Sequence, residues 1–510
     1  MTGAIAAGHP LTAQAGADVL RAGGNAVDAA VAAGAASWVA ESPLTGPGGG
    51  GFLLVHRARD AATFVYDFFV AVPSGRAARP MDDIEVDFSG GSQQLFRIGA
   101  ASVAVPGTVA GLHAAHRSHG SLPWRELFAP AVALARDGVE LTHGQAYLHE
   151  ILDAILRHTP ESRELFERGG DRLHAGDRLA LPELAATMEA IAEHGAHDLY
   201  RGELARELVR HVRESGGAVT LDDLAAYRPI RRRPVTAPYL GFQFRSNPPP
   251  SAGGALLAYG LRLLDRFGVE EQGGYEAVTS VVEIMREQAR IQDARFAREL
   301  HRGGLARRLV GEEALEAGWA RLQAGLGTRR EAPLPGGTTH ISVVDAEGNA
   351  AALSNSTGSG SGVVVPGTGL QLNNMLGEFE LTRGERPGGR MTSGMSPSVA
   401  LADGRVRLVL GSAGSLRLRN AVFQVTVNVL AHGLPVDEAI ARPRLHPEGE
   451  VVHAEGGHDP AVLDALPYLL VRWRERNLFF GGVSAVERLP DGALAAAGDP
   501  RRGGHGIVVE

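Results

Sequence analysis

Residues 335–349 read PGGTTHISVVDAEGN. A glycine pair, Gly336–Gly337, leads into Thr338, Thr339 and His340. An apolar run follows, then Glu347–Gly348–Asn349, then a second apolar run. Two apolar runs around such a turn predict a β-hairpin. Thr338 then has two readings. It is the plain first residue of a strand, or it is the residue that a chain cut would expose as a new amino terminus. The second reading gives it chemistry. A terminal Thr carries its own base, an α-amine of pKa roughly 7.7–8.0, next to its own hydroxyl. The two glycines before it leave the backbone free to bend for such a cut.

Composition narrows the choice of nucleophile. The 510 residues contain no Cys, and all 50 basic residues are Arg. That excludes thiol nucleophiles, Cys-bound zinc, disulfides, Schiff-base lysines and the P-loop lysine. Hydroxyls, carboxylates, imidazoles, Arg, backbone amides and an N-terminal amine remain. The net charge of −8 offers no basic excess for nucleic acid or anionic lipid. No run approaches 18 apolar residues, so no membrane-spanning helix is expected. The first 16 residues have no basic region, and the first Arg is Arg21, so a cytoplasmic protein is expected. The chain needs no metal or other cofactor for hydroxyl chemistry. His194 and His197 have metal-ligand spacing without a third ligand and read as surface histidines.

Outward from the hairpin, the amino-terminal part is mainly helical in pattern. Residues 11–39 hold two helices separated by Gly23–Gly24 and capped by Asn25. Residues 124–139 and 179–213 read as helices, and Thr220 with Asp223 starts another. Residues 275–327, rich in Arg and Glu, read as a solvated helical surface. GPGGGG (46–51) reads as a close-packed loop, since no Lys exists to complete a phosphate cradle. YRPIRRRP (227–234) reads as solvated surface. After 338 the strands cluster: 397–415 reads as a hairpin followed by a small-residue turn, 482–501 as a last hairpin, and 418–432 and 435–442 as helices. Helices first and strands late predict an α+β layered fold.

At this point the chain resembles the γ-glutamyltranspeptidase family of N-terminal nucleophile hydrolases. The blocks that carry the resemblance occur in family order. They are GHPLTAQAGADVLRAGGNAVDAAVAA, SPLTGPGGGGF, VPGTVAGL, FAPAVALARDG, LDDLAAYRP, SNPPPSAGG, GGTTHISVVDAEGNAAAL, MSPSVAL, LGSAGS and GDPRRGG. The resemblance implies a four-layer αββα sandwich. It implies a precursor that cuts itself between Gly337 and Thr338, giving a large subunit, residues 1–337, and a small catalytic subunit, residues 338–510. It implies Thr338 as nucleophile, with Gly414 and Ser415 as the turn whose N–H groups hold the oxyanion. A supporting hydroxyl falls on Ser356, or on Ser354. The implied substrate is a small γ-glutamyl amide or peptide of the glutathione type, with water or an acceptor amine resolving the acyl-enzyme.

The donor-reading positions depart from the family pattern. The Arg that would grip the donor carboxylate is replaced by Phe69, with Arg76 nearby in sequence. Glu378 stands where Asp is usual, to meet the donor amine, and Met375 replaces a polar residue. The paired serines become Ser393 and Gly394, and the family's Asn aligns near Gly358. His340 reads as strand packing or as support for the nucleophile, not as base. An unpaired carboxylate beside Phe69 is costly. The departures therefore allow a second expectation: an acylase on the same scaffold, taking an acyl group without the amino-acid head. A third is an unprocessed, non-catalytic scaffold.

Overall fold

The computed structural model describes residues 3–88, 92–268, 273–324, 337–378, 381, 386–414 and 416–510. Two large sheets dominate. In chain order their strands are β1 (Gly3–Ala7), β2 (Gly50–Arg57), β3 (Ala62–Phe68), β4 (Ile230–Arg232), β5 (Val235–Tyr239), β6 (Phe242–Ser246), β7 (Thr339–Val344), β8 (Ala350–Ser356), β9 (Ser398–Ala402), β10 (Arg405–Ala413), β11 (Gly482–Arg488), β12 (Leu494–Gly498) and β13 (His505–Val509). Seven lie in the order β4-β3-β2-β8-β7-β1-β13 and six in the order β5-β6-β9-β10-β11-β12. Every neighbouring pair in both sheets is antiparallel.

Side-chain alternation along the strands builds three cores. Ile5, Leu53, Val55, Ile341, Val343 and Leu353 point to a helical layer that includes α1 (Pro10–Arg21) and α2 (Ala26–Ala40). The alternate residues, Ala4, Phe52, Leu54, Val344 and Ala352, meet Val399, Leu401, Val409 and Val486 of the other sheet. The opposite face of that second sheet, with Ala400, Leu408, Leu410 and Val483, packs against α3 (Gly253–Phe267), α4 (Tyr275–Arg290) and α5 (Leu416–Leu430). Helix, sheet, sheet, helix is the αββα sandwich.

Helix α2 shows how local sequence serves this plan. Its fifteen residues are Ala, Val and Gly in the main, and all are buried, Asp28 and Ser37 included, as suits a helix apolar on nearly every side. Asn25 and Asp28 close a reciprocal capping box at its start. The glycine run entering β2 is a matter of close approach. A Cβ at Gly50 would lie 2.7 Å from the Val70 backbone nitrogen, and one at Gly49 would strike the Ser356 carbonyl. The run is the close-packed loop expected from the sequence.

Several expectations change. Strands do not gather late in the first sheet: β1 and β13, from the two ends of the chain, pair with each other, and β1 also pairs with β7. Neither was legible, because GAIAA has a single β-branched residue and HGIVV follows a glycine pair. Helix α4 is not a purely solvated surface. Val282, Ile284 and Met285 are fully buried, and Glu287 is buried with Tyr259, Arg290 and Arg321 around its carboxylate. Residues 230–232 of the basic stretch form β4, an edge strand, and Arg232 pairs with buried Asp67. His194 and His197 are exposed. Among the described residues no helix is long and apolar enough to cross a membrane.

Candidate active site

Thr338 immediately precedes β7, and its side chain is buried, as is that of Thr339. The hairpin β7–β8 pairs Thr339 with Asn355. This brings Ser356, the last residue of β8, back to the Gly337–Thr338 bond. The Ser356 hydroxyl donates to the Gly337 carbonyl oxygen in a short hydrogen bond. The same hydroxyl oxygen accepts the Gly358 backbone N–H at 2.8 Å, and the Gly337 N–H donates to the Gly358 carbonyl at 2.9 Å. The three bonds form a closed ring around the peptide group before Thr338. A Cβ at Gly337 would lie 2.7 Å from both the Gly358 carbonyl oxygen and Leu44, so only glycine fits there.

In the uncut chain Ser356 thus engages the carbonyl of the bond before Thr338. Ser354, the other candidate, bonds the His340 ring Nδ1 at 2.8 Å between the sheets. His340 is fully buried, and burial lowers its pKa to about 3, so it stays neutral. Its second ring nitrogen meets the Ser342 hydroxyl at 3.0 Å. Both ring nitrogens of His340 are thus engaged by serine hydroxyls, and the ring packs the start of the strand.

Gly414 directly follows β10, in a backbone conformation of φ +115° that favours glycine. A Cβ there would lie 2.8 Å from Gly481 and 3.5 Å from Nη2 of Arg502. Ser415, its expected partner in the oxyanion turn, lies outside the described residues, as does Gly336. The GDPRRGG block holds the carboxy-terminal turn by buried ion pairs. Arg444 bonds Asp499 at 2.6 Å, and Arg501 bonds Asp499 at 3.1 Å and Glu455 at 2.7 Å. This network fixes Arg502 beside Gly414.

The donor-reading positions show why the family pattern breaks. Phe69 is 1% exposed and stacks on Phe52, with ring centroids 5.6 Å apart, in the core between the sheets. Met375, Met391 and Met395 belong to the same core. Arg76 is exposed, and its carbonyl accepts from Arg213. The guanidinium nearest in space to Phe69, that of Arg390, is spent on the Phe69 carbonyl and on Asp67. Gly358 has φ +74°, and a Cβ there would strike the Asn374 side-chain oxygen, so the chain has no room for a larger residue. Glu378 lies beside Gly358. Its carboxyl would lie 3.4 Å from a Cβ at Gly358, and Oε1 has no hydrogen-bond partner. Burial raises its pKa to about 7. Ser393 and Gly394 pack against the PPPSAGG loop: the Ser393 carbonyl accepts the Ser251 hydroxyl at 2.9 Å and the Ala252 N–H at 2.8 Å.

Sequence comparison now bears on this geometry. The family model for gamma-glutamyltranspeptidase matches residues 12–509. The chain belongs to the γ-glutamyltranspeptidase family. It is 32% identical to the glutathione hydrolase proenzyme of Escherichia coli over 98% of this chain and 90% of that protein. It is 31% identical to the acylase ACY 1 proenzyme of a Pseudomonas strain, over 99% and 93%. Among solved structures, cephalosporin acylase from Bacillus halodurans superposes with a TM-score of 0.83 at 26% identity, covering 99% of this chain and 95% of that one. The γ-glutamyltranspeptidase of Helicobacter pylori matches with a TM-score of 0.53 at 28% identity, over 62% and 90%. These relatives are hydrolases and transferases of one family with an N-terminal nucleophile hydrolase fold, and the chain is an enzyme of that class.

Two residues of the site were missed from sequence. Glu41, at the end of α2, has a buried carboxylate that accepts the Thr339 hydroxyl. Asn374 orders the loop after β8 by accepting the Ser359 N–H at 3.0 Å and donating to the Ser359 hydroxyl at 2.7 Å. The signal for Glu41 was present as a carboxylate directly after a long, mainly apolar helix.

Proposed function

We propose that the chain is an amide hydrolase and acyltransferase that cuts itself between Gly337 and Thr338 and then uses Thr338 as nucleophile and base. The Thr338 hydroxyl attacks the Gly337 carbonyl carbon, and its proton passes to the peptide nitrogen. The C–N bond breaks, leaving Gly337 as an ester on the Thr338 oxygen and a free α-amine. Water hydrolyses the ester and releases a Gly337 carboxylate. The Ser356 hydrogen bond supports this step, because negative charge develops on the Gly337 carbonyl oxygen. In turnover the amine takes the hydroxyl proton as the oxygen attacks a substrate amide, and passes it to the leaving amine. Water or a second amine then resolves the acyl ester. Gly414 and Ser415 are assigned to the oxyanion of this second reaction.

For the donor, the geometry favours an acyl group without a charged amino-acid head. One observation carries this reading: the position of the carboxylate clamp is occupied by Phe69, stacked on Phe52 inside the core. A carboxylate brought there would be buried without a partner. A second reading, a γ-glutamyl donor, is favoured by Glu378, whose unpartnered oxygen could receive an ammonium. A panel of anilides carrying γ-glutamyl, glutaryl and uncharged acyl groups decides between them. The highest kcat/KM is expected for the uncharged acyl anilide. Highest turnover of γ-glutamyl anilide, lost in Glu378→Gln, would overturn that reading in favour of the second.

A further inference from the structure

Glu41 is a buried carboxylate that this reaction has not yet used. Helix α2 ends at Ala40 and leaves Glu41 as its C-cap residue, 7% exposed. Oε2 accepts the hydroxyl of Thr339, the neighbour of the nucleophile. A Cβ at Gly8 would strike Oε2, so the chain just after β1 leaves room for the carboxylate only as glycine. Oε1 has no hydrogen-bond partner.

Among the described residues, the surroundings supply one cation. Arg502 acts on Glu41 electrostatically, but no ion pair joins the two among the described residues. Nε and Nη1 of Arg502 are themselves buried without partners. His9 caps α1 through its ring Nδ1, 3.1 Å from the Leu11 nitrogen, and burial lowers its pKa to about 4. His149, on the 143–151 helix, is likewise lowered to about 4 by burial. Thr12 is the remaining polar group from α1. Both histidines are neutral near pH 7, and Glu378 lies on the side of Gly358.

A buried carboxylate without a close cation is costly, and burial accordingly pushes the Glu41 carboxyl upward. Cutting the Gly337–Thr338 bond creates a cation one residue from the group that Glu41 holds. We propose that Glu41 is the positioning residue of the new amino terminus: its carboxylate anchors Thr339 and compensates the ammonium that cutting creates on Thr338. The inference rests on the self-cleavage reading above. It adds a consequence for catalysis. An anion near the amine favours its protonated form, so the charge of Glu41 sets the pH at which Thr338 becomes an active base.

The test titrates the amine itself. The chain has no Lys, so the small subunit carries one primary amine, that of Thr338. Its rate of acylation by acetic anhydride, read by mass at a series of pH values, gives its protonation curve. In Glu41→Gln, cleavage is expected to proceed. The amine curve and the acidic limb of kcat/KM should both move to lower pH, by roughly half a pH unit or more. Thr339→Val removes the hydrogen bond and keeps the charge; it should lower kcat about tenfold and leave the amine curve in place. An unmoved amine curve in Glu41→Gln overturns the proposal. If Glu41→Gln stays uncut, Glu41→Asp is expected to cut, and an uncut Glu41→Asp overturns the proposal in favour of a packing role. A wild-type chain that yields no Thr338 amine refutes the self-cleavage reading instead, so the two failures are distinct.

Discussion

The hydroxyl of Ser356 donates to the carbonyl oxygen of Gly337 while its oxygen accepts the N–H of Gly358. That arrangement fixes the hydroxyl proton on the oxygen that becomes negative if Thr338 attacks. Removing such a donor costs about 10²–10³ in rate where it serves an oxyanion. Ser356→Ala should therefore slow appearance of the two subunits by a factor of that order, and Ser356→Thr should largely restore it. The check is a time course of freshly made precursor on a denaturing gel. An Ala variant that cuts at the wild-type rate would remove Ser356 from the reaction.

Phe69 stands for packing where a charge would stand for recognition. Phe69→Ala should lower stability by about 3–5 kcal/mol, because a fully buried ring leaves a cavity beside Phe52. Phe69→Arg should lower it at least as much, since the new guanidinium would enter an apolar core. Urea denaturation measures both. An Arg variant that is as stable as wild type and gains γ-glutamyl turnover would show that the position opens on the donor after all.

Buried histidines should make the fold sensitive to acid. Burial holds His340 at about 3 and His9, His56 and His149 at about 4, against 6.5 when exposed. The unfolded chain binds these protons first as pH falls. Stability from each is fully present above about 6.5 and declines toward the folded value, by roughly 1.4 kcal/mol per pH unit. The melting temperature should fall progressively between pH 6.5 and 4.5. A flat profile across that window would contradict the buried, neutral assignment.

The two halves should stay together after cutting. Strand β1, from the large half, lies between β7 and β13 of the small half, and β8 of the small half pairs with β2 of the large. The second sheet adds β6 of the large half on β9 of the small, so separation would break four strand ladders and open all three cores. A tag on one half should therefore retain the other on an affinity column without denaturant, and release it in strong guanidinium. Loss of the untagged half in plain buffer would argue against a shared sheet.

Much of this was legible from local signals. The hairpin from Thr339 to Ser356, the capping boxes at Asn25 and Thr220 and the close-packed glycines follow from periodicity and turn chemistry. The paired terminal strands were not legible, because short Gly- and Ala-containing segments become strands only through partners hundreds of residues away. The site divides the same way. Thr338 and Gly337 carry a local signature, whereas the role of Ser356 depends on where a hairpin closes. Glu41 depends on a contact with Thr339 across 298 positions of sequence. Helix α4 shows the converse error, since its charged composition concealed an apolar face and a buried carboxylate.

The central claim is that Thr338 becomes a chain terminus, and the absence of lysine makes it directly measurable. Intact-mass analysis of the purified protein after amine acylation should show two chains, one ending at Gly337 and one beginning at Thr338, the latter carrying a single acyl group. Thr338→Ala should give one uncut chain acylated only at its own start. A wild-type protein that remains one chain of 510 residues with a single acylated amine, under conditions where it is folded, would contradict the account.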